Sequence, residues 1–167
     1  MALKLDMSKA YDRVKWICLE NIMAKLGFGE KWRKLVMKCV TSVTYSIKIN
    51  GKLRGHIIPS RGIWQGDPLS PYLFLLCAEG LSALIKKLVD DGEMEGVTMC
   101  RGGPRLSHFF CANDSIIFCK ATLEECNTLQ KILRVYKHAF GQQLNRAKTY
   151  LFFSKNTPGE IKEEIKK

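Results

Sequence analysis

With 167 residues, 46% hydrophobic and 26% charged, the chain is long enough for one domain with a real core and too apolar to be disordered. Its 27 Lys and Arg against 16 Asp and Glu leave a net charge of +11, an excess that favours a polyanionic partner, most simply nucleic acid. No signal peptide is evident, and the longest apolar run, Pro71 to Ala78, is far too short to cross a bilayer.

Residues 2–7 alternate around Leu3 and Leu5 and end in Asp6, the pattern of a buried strand with an acid at its tip. Ser8 is placed to cap a helix carrying Val14, Cys18, Ile22 and Leu26 on one face and stopping at Gly27. A second helix is predicted from about Glu30, with Trp32, Leu35, Val36, Cys39 and Val40 as its core-facing stripe. Over 43–58 the period changes to two, and Asn50-Gly51 between alternating runs predicts a tight hairpin. Residues 59–68 form a loop by their Gly and Pro content, and Pro68 suits the first turn of a helix running to about Asp90. That helix presents Leu73, Leu76, Cys77, Leu81, Leu84 and Leu88 on one side. After a break at Asp91-Gly92, a short strand near Val97 to Met99 leads to a Gly102-Gly103-Pro104 turn.

The next stretch, Phe109 to Phe118, sets two apolar runs around Ala112-Asn113-Asp114-Ser115, a hairpin with a polar turn. A helix over 122–138 shows Leu123, Cys126, Leu129, Leu133 and Tyr136 on one face and ends at Gly141. A strand at Tyr150 to Phe153 and a charged helix beginning at Pro158 close the chain. The expected order is β-α-α-ββ-α-β-ββ-α-β-α, an α+β layering of helices on a small antiparallel sheet. Seven cysteines without a CxxC pair give no metal spacing; Cys18, Cys39, Cys77 and Cys126 read as small core residues in a reducing compartment. The chemistry concentrates where two acidic strand ends, at Asp6 and at Asn113-Asp114, could lie side by side and share a divalent metal.

Four stretches carry a family resemblance. Leu5-Asp6-Met7-Ser8-Lys9-Ala10-Tyr11-Asp12-Arg13-Val14 resembles motif A of reverse transcriptases from non-LTR (LINE-type) retrotransposons, especially those of plants. Arg61-Gly62-Ile63-Trp64-Gln65-Gly66-Asp67-Pro68-Leu69-Ser70-Pro71 resembles motif B, Phe109 to Phe118 motif C, and Gly141-Gln142-Gln143-Leu144-Asn145-Arg146-Ala147-Lys148 motif D. The resemblance covers residues 3–153 in the right order.

It implies a polymerase palm over residues 1–154, without fingers or thumb, followed by a basic tail at 155–167 that includes a short helix. The implied reaction is RNA-directed DNA synthesis, in which a primer 3′-hydroxyl attacks the α-phosphate of a deoxynucleotide with the help of two Mg²⁺ ions. The implied partners are an RNA template, a DNA primer and deoxynucleoside triphosphates, with no membrane or protein partner, and the implied residence is the nucleus. By position, Asp6 and Asp114 are the metal ligands, and Asp6, Asn113, Asp114 and Lys148 are the catalytic set, Lys148 protonating the departing pyrophosphate. Met7, Ser8, Tyr11, Gln65 and Gly66 are the nucleotide-binding set, with Tyr11 as the aromatic gate against a ribose 2′-hydroxyl. Arg61 and Trp64 are the nucleic-acid contacts.

The departures are as informative. Asn113 stands where the family carries its metal-binding aspartate, Cys111 where it carries an aromatic, Trp64 where it carries a basic residue and Phe140 where it carries a small serine. An amide oxygen brings no charge to a site holding divalent ions, so, with the implied lack of fingers and thumb, the chain is expected to be inactive alone. Two alternatives remain: a non-catalytic basic remnant that binds RNA or DNA, and a fragment whose uncovered apolar surface prevents stable folding.

Overall fold

The computed structural model describes residues 1–111 and 114–166. The elements are β1 (Ala2–Asp6), α1 (Trp16–Lys25), α2 (Glu30–Thr41), β2 (Tyr45–Ile49), β3 (Lys52–Ile57), α3 (Ser70–Asp90), β4 (Val97–Thr98), β5 (Arg105–Leu106), β6 (His108–Cys111), β7 (Asp114–Phe118), α4 (Leu123–Phe140), a 3-10 helix (Arg146–Lys148), β8 (Tyr150–Phe152) and α5 (Gly159–Lys166). The main sheet is antiparallel, in the order β6-β7-β1-β8. Alternation along β1 and β7 turns Leu5 and Ile117 inward, both fully buried, into one core with Leu19 and Met23 of α1, Leu73, Cys77, Leu81 and Ile85 of α3, and Leu129 and Tyr136 of α4. The opposite face keeps Phe109, Tyr150 and Phe152 more than half exposed. The expected α+β layering, helices on one face of a small antiparallel sheet, is what the chain adopts.

The first helix begins later than the sequence predicts. Residues 8–13 are turns, Lys9 has φ 50°, and α1 starts at Trp16 behind an N-cap at Lys15 that makes no side-chain cap, so Ser8 caps nothing. The reason is tertiary. The Tyr11 and Val14 carbonyls accept from Ile63 and Gly62 (3.0 and 2.8 Å), and the Lys15 amide donates to the Phe140 carbonyl (3.2 Å), so groups that would close helical turns are engaged elsewhere. On α2, Val36 is the buried residue of the expected stripe, while Trp32 and Leu35 are 50% and 55% exposed and Cys39 is exposed. The sequence-level stripe is real, but α2 packs chiefly against α1, and a narrow contact leaves most of the stripe uncovered.

The Asn50-Gly51 turn is as expected, with both residues at positive φ (48° and 80°), the type I′ geometry that matches strand twist. Its hairpin, β2–β3, forms a separate two-stranded sheet. Pro68 lies just before α3, and Pro71 occupies the first turn instead; the Asp67 carboxylate accepts from the Leu69 amide (2.7 Å). The Gly102-Gly103-Pro104 turn leads into β5, a strand the sequence reading did not anticipate, which pairs with β4. The face of α4 is also rotated. Leu123 is exposed, and Glu125 is buried because its carboxylate accepts from the Lys120 and Glu95 amides (2.9 and 3.2 Å). All seven cysteines are free; burial pushes the Cys77 and Cys119 thiols up to about 12, which makes them inert core residues.

Candidate active site

The site is built on β1, an inner strand paired with β7 on one side and β8 on the other. In the antiparallel register Asp6, its last residue, stands directly opposite Asp114, the first residue of β7. Opposed residues of an antiparallel pair bring their Cβ atoms within about 5.5 Å of each other, close enough for both carboxylates to reach one ion. Asn113 lies outside the described residues.

The segment that follows Asp6 is clasped from two sides. On one side Gly62 and Ile63 donate to Val14 and Tyr11, and the Trp16 indole donates to the Gly62 carbonyl (2.6 Å). On the other, the Ser8 amide donates to Gln143 (2.8 Å), Met7 bridges to Leu144, and the buried Gln142 amide donates to the Ala10 carbonyl (2.9 Å). Residues 6–16, 61–64 and 140–145 therefore converge on one place, although up to 139 positions separate them. Two glycines make the approach possible: Gly62 (φ 93°) and Gly141 (φ 78°) would each carry a Cβ against the backbone carbonyl of the 8–15 segment, at Asp12 and at Arg13.

The two acids have different surroundings. Asp6 is half-buried; its Oδ2 accepts from Asn145 Nδ2 (3.1 Å) and its backbone carbonyl from the Asn145 amide (2.9 Å). Asp114 is exposed and forms an ion pair with Lys4 (3.2 Å), which shares the open face because it lies two residues before Asp6. Lys4 carries no sequence signal of a role beyond its place in the alternation, and Asn145 shows only as part of the stretch that resembles motif D. The two-residue alternation could have found Lys4, whereas Asn145 needs the tertiary pairing. Among the described residues no three His, Cys, Asp or Glu side chains gather as a metal cluster. The two opposed carboxylates are hard oxygen donors, which fits a divalent cation that completes its shell with water and phosphate oxygens.

The other expected site residues lie on the segment after Asp6, on the loop before α3 and in the 3-10 helix. Met7 is buried, and the Ser8 amide is already committed to Gln143. Tyr11 is half-buried and stacks on Phe74 (5.0 Å between centroids, 21°). Gln65 and Gly66 are exposed on the loop before α3; Gly66 has φ 107° and, among the described residues, meets only the Trp64 ring at ordinary contact distance, so its glycine is required by conformation and not by crowding. Trp64 is half exposed with one face stacked on Tyr45 (5.2 Å), and Arg61 is exposed on the same loop. Lys148 is exposed in the 3-10 helix, its amide donating to the carbonyl of Asn145 (3.0 Å), so it is tied to Asp6 through one residue. Phe140 lies over Gly80, whose missing Cβ makes room for the ring.

Comparison with known proteins gives three findings. The family model for reverse transcriptase (RNA-dependent DNA polymerase) matches residues 1–165. Among curated proteins, the chain is 46% identical over 67 residues to an uncharacterized mitochondrial protein of Arabidopsis thaliana, covering 40% of this chain and 55% of that one. It is 31% identical over 97 residues (58% of this chain) to the retrovirus-related Pol polyprotein of the type-1 retrotransposable element R2 of Popillia japonica, and 27% identical over 147 residues (88%) to a transposon TX1 protein of Xenopus laevis. It spans only 15% and 11% of those two proteins. Among solved structures, apo telomerase from Candida tropicalis, truncated from the C-terminal domain, superposes with a TM-score of 0.67 at 17% identity, over 93% of this chain and 31% of that one. Telomerase from Candida albicans in complex with a TWJ fragment of telomeric RNA gives 0.67 at 15% identity, over 94% and 28%. At such identities the likeness is one of fold.

Proposed function

Because the chain belongs to the reverse transcriptase (RNA-dependent DNA polymerase) family, with relatives in non-LTR retrotransposons, we propose that it is the palm portion of an RNA-directed DNA polymerase whose own site is catalytically silent. The observation that carries this reading is the register of β1 on β7, which sets Asp6 against Asp114 directly before the segment clasped by residues 61–64 and 140–145. In this reading residues 1–154 form the palm unit and 155–167 an appended basic tail.

The chemistry proposed for the site is attack of a primer 3′-hydroxyl on the α-phosphate of a deoxynucleotide, with pyrophosphate leaving. Asp6 and Asp114 would hold Mg²⁺, which when bound supplies the positive charge that offsets charge building on the phosphoryl oxygens. Tyr11, held by Phe74, restricts the space beside the sugar. Gln65 and Gly66 line the base, Arg61 meets a phosphate, and the free face of Trp64 offers a stacking surface. Lys148 delivers a proton to the leaving pyrophosphate. Asn113 withdraws one anionic ligand from this arrangement, which is why silence is proposed.

A template surface is supported by charge. Residues 31–66 contain eight Lys and Arg (31, 33, 34, 38, 48, 52, 54 and 61) and no Asp or Glu, which is most of the net +11 of the whole chain. On the β2–β3 hairpin Lys48, Lys52 and Arg54 project from a sheet that carries no counter-charge of its own. Neutralising about four phosphates of single-stranded RNA gives a slope of log K on log salt of about −3.

The test uses the purified chain with an RNA template and DNA primer in Mg²⁺ or Mn²⁺. The expected result is salt-dependent RNA binding with no measurable incorporation. Replacing Lys48, Lys52 and Arg54 by Gln is expected to flatten the salt slope by roughly two. Incorporation that disappears with Asp6→Ala would refute silence, and binding indifferent to salt would refute the template surface.

A further inference from the structure

The Asp6–Asp114 pair is flanked by two groups that no aspect of the family resemblance assigns to it. Lys4 Nζ lies 3.2 Å from Asp114 Oδ2, and Asn145 Nδ2 lies 3.1 Å from Asp6 Oδ2. Each carboxylate thus has its own partner, one a full charge and the other a neutral donor. We propose that Lys4 and Asn145 are positioning residues that set how tightly this pair holds a divalent cation, and that they act in opposite directions. The proposal rests on the cation-site reading above.

Lys4 competes. A divalent cation at Asp114 must displace the ammonium group or remain within a few ångströms of a like charge, and either outcome weakens binding. Because both side chains are partly exposed (37% and 50%), water and salt screen the effect, so it is modest. Asn145 prepares. Its own position is over-determined: its amide donates to Asp6, and its carbonyl accepts from the Lys148 amide (3.0 Å) and the Thr149 hydroxyl (2.8 Å). An ionised carboxylate only accepts, so the amide nitrogen must face it, and this fixes the orientation of the Asn145 side chain. The hydrogen bond therefore holds the Asp6 carboxylate in one rotamer, which lowers the ordering cost of ligation.

The experiment titrates Mn²⁺ into the purified chain and reads free Mn²⁺ by its paramagnetic resonance signal, with melting temperature recorded for every variant. Lys4→Met is expected to bind Mn²⁺ roughly threefold to tenfold more tightly. Asn145→Ala is expected to bind it roughly threefold to tenfold more weakly. Lys4→Arg, which keeps the charge, is expected to restore the original affinity, and raising the ionic strength should shrink the Lys4 effect. A purely structural role would loosen the site in both variants; opposite signs separate the two explanations. Equal or weaker binding in Lys4→Met, or unchanged binding in Asn145→Ala, overturns this inference. Absence of Mn²⁺ binding at millimolar concentration, or binding indifferent to Asp6→Asn and Asp114→Asn, overturns instead the cation-site reading on which it rests.

Discussion

Gly141→Ala is expected to destabilise the chain by about 3 kcal/mol, within a range of roughly 2 to 5, making it one of the most damaging single-methyl additions available. Gly141 closes α4 at φ 78°, a conformation that costs an L side chain about 1–2 kcal/mol. Space adds to this: a Cβ there would stand 2.5 Å from the Arg13 carbonyl oxygen and 3.2 Å from Lys15 Cγ, so the clasp around residues 8–15 would have to open. For a domain of this size the expected fall in melting temperature is about 6–12 °C. Gly92→Ala supplies the control, because Gly92 has a similar φ (74°) but, among the described residues, nothing within 4 Å of an added Cβ. Differential scanning calorimetry of both variants isolates the crowding. Equal losses would mean that the 140–145 segment does not press on the segment after Asp6.

Leu5→Ala is expected to cost a similar amount, about 3 kcal/mol and between 2 and 5, through lost burial and the cavity left behind. Leu5 is fully buried and directly precedes Asp6, so the side chain that anchors β1 to the helices also fixes the height of the acid on the opposite face. Ile49→Ala provides the contrast. Ile49 is 54% exposed on the β2–β3 hairpin, and surface changes of this kind usually stay within about 0.5 kcal/mol. Chemical denaturation of the pair, read as midpoint shifts, checks the assignment of the inward face. A Leu5→Ala midpoint close to that of Ile49→Ala would contradict it.

The contrast between these two residues shows what the sequence made legible. Leu5 announces itself by alternation, and so do the Asn50-Gly51 turn, the long apolar side of α3 and the end of α4 at Gly141; all are local patterns with local causes. The start of α1 was misplaced because the carbonyls of Tyr11 and Val14 are satisfied by Ile63 and Gly62, about fifty residues away, and no window along the chain contains that information. The stripe of α2 and the face of α4 held only in part, with Val36, Leu129 and Tyr136 buried but Trp32, Leu35 and Leu123 exposed, for a related reason. Periodicity tells which residues share a side, but what covers that side, chiefly α1 for α2 and the Glu95 and Lys120 amides that meet Glu125 for α4, depends on partners.

The site followed the same division. Asp6 and Asp114 were readable as acidic strand ends, and the register places them opposite each other as expected. Lys4 was available from the two-residue period. Asn145 was not, since its hydrogen bond to Asp6 spans 139 positions. Trp64 and Tyr11 were expected as contacts for nucleic acid and nucleotide. Each ring already has an intramolecular partner, Tyr45 and Phe74, which holds it in place and leaves less of its surface for a ligand.

The proposed function stands on Asp6 and Asp114 holding one cation between them. The most direct test is a crystal of the purified chain soaked in Mn²⁺, with the ion located by its anomalous scattering. The expected result is a peak about 2 Å from an oxygen of each carboxylate, with Lys4 displaced from Asp114. Ordered carboxylates with no peak between them, or a peak held by other residues, would contradict the account.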